Sequence, residues 1–169
     1  VVLKFTHYSA VQSASRKMPI FTAVNIHGGQ FQRLDRKDRD LEGRDFESSS
    51  ILEAAADKWF FDPRIAESAQ LRPPVFDETK FAFGHVTRRE DPIWGDLRTA
   101  RMANDDTFYM TNVATQHERF NSGIWLRLEK AMLDAARDNG IKISVISGPV
   151  LRPDDPEVLG VQVPTSFWK

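Results

Sequence analysis

Two runs near the start of the chain constrain its fold most: LKFTHYSAV at 3–11 and PIFTAVNI at 19–26. Both are rich in β-branched and aromatic residues, which suit a pleated, half-buried surface. Polar QSASRKM lies between them, and HGG at 27–29 breaks the second run. The pattern predicts an antiparallel strand pair. IKISVISGPVL at 141–151 predicts a buried strand, and VLGVQVPTSFWK at 158–169 predicts one more.

The clearest helix runs from Asn121 to Asn139. Ile124, Trp125, Leu128, Met132 and Ala135 recur at three- and four-residue steps, and Asn139-Gly140 supplies a stop. Ile124, Trp125 and Leu128 are therefore expected in the core. DLRTARMAND at 96–105 has helical character, DTFYMTNVA at 106–114 is β-like, and SSSILEAAADKW at 48–59 fits either a helix or a strand. DPRIAESAQLRPPVF at 62–76 is expected to be mostly irregular, because its prolines remove donors and block regular pairing. The alternating charges of residues 30–50 predict a solvated, mobile loop. Strands and helices that do not alternate regularly point to an α+β domain, an antiparallel β-sheet core flanked by helices, over residues 1–169.

Composition excludes several classes. A net charge of −1 argues against polyanion binding through total charge, so any nucleic-acid contact must come from a local patch. With no cysteine there are no disulfides and no thiolate metal sites. No apolar run approaches the roughly 18 residues of a membrane span. VVLKFTHYSAVQ does not resemble a signal peptide, so a cytoplasmic protein is expected. The missing initiator Met and the end inside strand-like PTSFWK suggest a domain excised from a longer chain.

The chemistry-bearing stretches are FGHVTRREDPIWG at 83–95 and FNSGIWLRLE at 120–129. His85 fits a core histidine or a general base beside a phosphate-binding surface. Asn121 fits a helix N-cap or a metal ligand, since Asn is favoured at caps. Glu129 fits a solvated helix residue or a partner of a metal site. Arg88 and Arg89 fit a surface pair meeting Glu90 and Asp91, or a phosphate grip. Arg64 is open between a structural and a phosphate-facing role.

Taken in order, Gly84-His85, Thr111-Asn112, Gln116 and Phe120-Asn121 through Leu128-Glu129 resemble the DNA/RNA non-specific endonucleases, the ββα-metal group that includes endonuclease G. KWFFDPRI at 58–65 is similar to the family's Trp-x-x-Asp-Pro element. The resemblance implies cleavage of phosphodiesters in DNA, and in RNA, with one Mg²⁺. It makes His85 the general base, Asn121 the direct metal ligand, Glu129 the holder of a metal-bound water, and Asn112 a residue that shapes the site. Mn²⁺ would suit the same oxygen ligands. On a helix, eight residues put Glu129 about 12 Å along the axis from Asn121 and roughly 80° around it, which disfavours joint ligation of one ion.

Two positions depart from the family pattern. Its Asp-Arg before Gly-His is Ala82-Phe83 here, and its arginine two residues before the Trp is Asp57. Arg88, Arg89 and Arg64 are the candidate replacement cations. The alternative is a catalytically inactive relative serving as a nucleic-acid-binding or protein-interaction module. A homodimer or a regulatory partner domain is a further expectation.

Overall fold

The computed structural model describes residues 1–38, 51–54, 57–77 and 79–169. In chain order it contains β1 (Val2–Lys4), β2 (Tyr8–Ser13), β3 (Met18–His27), β4 (Ile51–Ala54), β5 (Asp57–Phe60), α1 (Pro74–Asp77), β6 (Phe81–His85), α2 (Leu97–Asp106) and β7 (Val113–His117). A short helical turn α3 (Glu118–Phe120) then passes through a π-helical stretch, Asn121–Trp125, into α4 (Leu126–Asp138). Strands β8 (Lys142–Pro149), β9 (Glu157–Val158), β10 (Val161–Gln162) and β11 (Phe167–Trp168) complete the chain.

The main sheet is antiparallel throughout, in the order β1-β2-β3-β8-β11. The two N-terminal runs pair as expected, but the first is broken by a bend at Phe5–His7, where His7 takes a positive φ of 66°. Strand β3 alternates strictly over its second half: Thr22, Val24 and Ile26 are buried, while Ala23 and Asn25 face the other way. Of the segment at 48–59, the described residues 51–54 and 57–59 are strand, since β4 and β5 pair antiparallel. The residues at 62–76 are largely turns, as the prolines require.

Three expectations need correction. DTFYMTNVA is not a strand before Val113. Backbone amides of Thr107, Phe108 and Tyr109 bond back to Asn104, Asp105 and Asp106, so this stretch turns instead. The final run is not one strand either. Leu159 and Gly160 both take positive φ, 50° and 74°, which is the turn geometry that closes the β9–β10 hairpin. The charged loop is in part anchored: Gln32 donates from its backbone to Ile93 O at 2.9 Å and from its side chain to Gly95 O at 2.7 Å. Residues 39–50 of that loop lie outside the described residues.

Two apolar clusters position the site. One joins Tyr8, Val24, Ile26 and Val145 of the sheet to Leu133 and Ala136 of α4. The other packs Trp59, Phe60, Phe108, Met110, Val113 and Ala114 beneath the β6–β7 pair. The buried face of the long helix is therefore Trp125, Glu129, Leu133 and Ala136. Ile124 is 63% exposed and Leu128 43%, so only Trp125 of the three expected core residues is buried. The helix carries two overlapping apolar stripes, and contact with β3 and β8 selects the second. Among the described residues, no helix is long and apolar enough to cross a membrane.

Candidate active site

The Gly-His pair lies on β6, with Ala82 opposite Gln116 and Gly84 opposite Ala114 on β7. A Cβ at position 84 would lie 2.4 Å from the Gln116 side chain, which is fully buried. Gly84 is thus the space that Gln116 occupies. His85 follows at the end of β6, its ring 4.8 Å from Trp59 and edge-on to Phe108 at 5.3 Å.

Asn112 secures the turn that leaves His85. Its Oδ1 accepts from Thr87 N at 2.8 Å, and its Nδ2 donates to Thr87 O and Thr107 O, both at 3.0 Å. The backbone of Val86 donates to Asn112 O at 2.9 Å. Asn112 is fully buried with its amide committed, so it supports the site from behind and does not line it.

Asn121 is not the helix N-cap. That position falls to His117, whose ring nitrogen accepts from Arg119 N at 3.2 Å. Asn121 sits one turn inside, where the helix is interrupted at Gly123 (φ −100°, ψ −111°). Such π-helical interruptions are frequent at functional sites. Among the described residues the Asn121 amide has no hydrogen-bond partner.

His85, Asn121, Glu129, Arg88 and Arg89 all line one cavity of about 310 Å³. The elements around it are the antiparallel strand pair β6–β7, whose connection carries α2, and the helix that follows, a ββα arrangement. Arg36, which sequence reasoning did not single out, lines it too, with its guanidinium 5.3 Å from the Phe108 ring. Nothing distinguishes Arg36 within a segment so dense in charge. Arg64 is elsewhere: it grips Asp62 through Nε (2.8 Å) and Nη2 (2.6 Å), donates to Lys4 O, and stacks on Phe5 at 4.3 Å. The residue is a structural clamp. A larger cavity of about 450 Å³, beside His27, Trp94 and Lys142, contains none of the expected residues.

The arginine pair is not a solvated face. Arg88 is 11% exposed, bonds Glu90, and retains a buried Nη1 with no partner. Arg89 donates to Asn104 Oδ1 at 3.2 Å, and its burial lowers its pKa. Phe83 stacks on Phe76 at 3.8 Å and on Trp59 at 5.1 Å, so aromatic packing occupies the position where the family pattern has a cation. The cavity's cations are instead Arg36, Arg88 and Arg89, and Glu90, which also lines it, pairs with both Arg88 and Arg89. The side chain of Asp57 lies outside the described residues.

Glu129 is buried on the helix face that meets the site. Its Oε1 accepts from Lys169 Nζ at 2.9 Å, and the same ammonium lies 4.0 Å from Asp91 Oδ2. Burial raises the Glu129 pKa against the opposing pull of Lys169, and burial pushes Asp91 up to about 7. Among the described residues no group of three or more His, Asp or Glu could enclose a metal. An ion held by one amide oxygen and waters needs no such cluster, and the uncommitted Asn121 amide fits that role.

The uncharacterized protein y4fB of Sinorhizobium fredii is 39% identical over 99% of this chain, which spans 24% of that protein. Mitochondrial endonuclease G of Homo sapiens is 31% identical over 62% of the chain, covering 35% of its own length. The chain thus spans only about a quarter to a third of these relatives. In fold, it matches the crystal structure of an EndoG/EndoGI complex with a TM-score of 0.70 at 18% identity, over 98% of this chain and 64% of that one. The model of the DNA/RNA non-specific endonucleases matches residues 1–169, and the chain belongs to that family.

Proposed function

We propose that the chain is a metal-dependent, sequence-non-specific endonuclease that hydrolyses phosphodiester bonds in DNA, with RNA as a second substrate. One observation carries this: an imidazole, an uncommitted amide and a guanidinium, those of His85, Asn121 and Arg88, line the same cavity. His85 takes the proton of the attacking water as the new phosphorus–oxygen bond forms, a role suited to neutral imidazole near pH 7. The Asn121 amide oxygen would be the direct protein ligand for Mg²⁺, or Mn²⁺, and Glu129 would hold a water bound to it. The ion, when bound, supplies positive charge at the phosphate and the leaving oxygen.

The protein's own cations complete the site. Arg88, Arg89 and Arg36 supply positive charge beside the phosphate, offset in part by Glu90, which pairs with Arg88 and Arg89; charge-assisted hydrogen bonds from guanidinium groups are strong and directional. Asn112 keeps His85 in register by fixing the turn behind it. Contacts confined to phosphates carry no direct sequence information, which is the basis for proposing non-specific cleavage. A second reading, an inactive nucleic-acid-binding module, is favoured by Ala82 and Phe83 at the positions of the usual Asp-Arg.

Plasmid nicking separates the two. Wild-type protein is expected to nick supercoiled DNA in Mg²⁺ or Mn²⁺, EDTA to stop it, and His85→Ala to reduce the rate by about 10²–10⁴-fold. DNA binding with no cleavage in either metal would establish the inactive module. Cleavage that survives His85→Ala would remove this residue from the chemistry.

A further inference from the structure

Behind the catalytic cavity, Lys169 is buried to 1% side-chain exposure, close to two carboxylates that are nearly as deep. Its Nζ donates to Glu129 Oε1 at 2.9 Å, lies 4.0 Å from Asp91 Oδ2, and sits 5.2 Å from the centre of the Trp125 ring. A lysine is almost never so buried unless paired. Here its setting is built by three elements: β11 delivers it through Phe167, α4 supplies Glu129, and the turn after β6 supplies Asp91. Phe167 packs on Phe120 at 5.3 Å and on Trp125 at 5.9 Å, so the end of β11 is fixed against the very helix that carries Asn121 and Glu129.

We propose that Lys169 is the positioning residue for Glu129, holding one carboxylate oxygen from behind so that the other is presented to the catalytic cavity. Lys169 donates to this carboxylate at 2.9 Å, the neighbouring Trp125 indole also favours its charged form, and Glu129 itself lines the cavity. A glutamate has three rotatable side-chain bonds and costs entropy to hold in one place. An ammonium fixed on one oxygen removes that freedom, and it also shields Glu129 from Asp91. Without it, two buried carboxylates would face each other, and such a pair favours a shared proton over two charges. A protonated Glu129 would be a poor acceptor for a water. Outer partners of this type commonly affect activity by about 10–100-fold when removed.

The catalytic part of this inference rests on the proposed nuclease activity; the contact itself does not. The test uses the full chain as wild type, Lys169→Met, Lys169→Arg, Glu129→Gln and the Met/Gln double variant. In protein labelled at the Glu side-chain carboxyl carbon, the Glu129 resonance is identified by its loss in Glu129→Gln. It is expected to move in Lys169→Met and to return towards its wild-type position in Lys169→Arg. A resonance that stays in place in Lys169→Met overturns the proposal, whether or not the protein cuts DNA.

Nicking kinetics supply the second arm. Lys169→Met is expected to lower kcat by about 10–100-fold with KM for plasmid within about threefold, and Lys169→Arg to recover most of that loss. In the Glu129→Gln background, Lys169→Met should cost nothing further, since a residue acting through another is non-additive with it. Losses that multiply overturn the proposal. Absence of wild-type nicking in both metals would refute the nuclease reading and leave the resonance to decide Lys169. Should Lys169→Met not fold, Lys169→Arg and the double variant, which removes both charges, carry the same comparison.

Discussion

Arg88 keeps a buried guanidinium nitrogen with no protein partner among the described residues, a donor that a water or an anion would satisfy. Replacing Arg88 and Arg89 by Ala together should weaken DNA affinity and flatten its dependence on salt, because each phosphate contact contributes about 0.9 to the logarithmic slope. Unchanged affinity and slope, measured by titration in EDTA, would return the pair to a structural role. Asp91 makes a different prediction. Its ordinary pKa of 3.8 rises to about 7 in the fold because burial disfavours the charge, with Lys169 opposing. The folded state therefore binds the proton more tightly than the unfolded chain. Stability from this group is intact at pH 4, falls as pH rises towards 7, and is lost above that; the upper bound is about 4 kcal/mol. Asp91→Asn should accordingly raise the thermal midpoint over wild type at pH 8 and give no gain at pH 4. An equal shift at both values would show that Asp91 is ionised throughout.

At the scale of elements, the site depends on where α4 is docked. Gly28, just beyond β3, meets the last turns of that helix so closely that a Cβ would fall 1.8 Å from Ala136 O. Backbone cannot yield as a flexible side chain can, so Gly28→Ala must push the helix away. A loss of about 3 kcal/mol or more is expected by denaturant titration, in the range of severe core disruption. Nicking should fall with it, because Asn121 and Glu129 ride on the displaced segment. A variant as stable as wild type would mean that β3 and α4 adjust independently. The same docking explains why the expected core face was displaced. Periodicity announces an amphipathic helix, yet Ile124 and Leu128 face outward, while Glu129 points in towards Lys169. Which of two overlapping stripes is buried follows from the partner surface, and part of that surface, Val24 and Ile26 of β3, lies more than a hundred residues from Leu133 and Ala136 in sequence.

For the whole molecule, a net charge of −1 means that attraction to nucleic acid must be local. Three arginines line the cavity, so the logarithm of DNA affinity should fall with the logarithm of salt at a slope of about 2–3. A slope near ten would indicate a far wider basic surface. The fold is also expected to be independent of metal. Two apolar clusters hold it, and among the described residues no acidic or histidine group encloses an ion. EDTA should leave the thermal midpoint within about 1 °C in the absence of DNA; a large drop would make the ion structural.

The sequence alone determined the class of the fold and the family to which the chain belongs. The antiparallel start, the long helix and the Gly-His and Phe-Asn motifs depend on residues close together in the chain, and local pattern records them. His85, Asn121, Glu129, Arg88 and Arg89, which the structure brings to one cavity, could therefore be singled out from local pattern, and so could Asn112, which lies buried behind them. Only the tertiary structure decided that Arg64 belongs to Asp62, that Arg36 reaches the cavity, and that Lys169 grips Glu129 across forty residues. The reason is physical: a guanidinium or an ammonium has the same appearance in any sequence, and its role is set by the carboxylate or phosphate that folding brings within hydrogen-bonding reach.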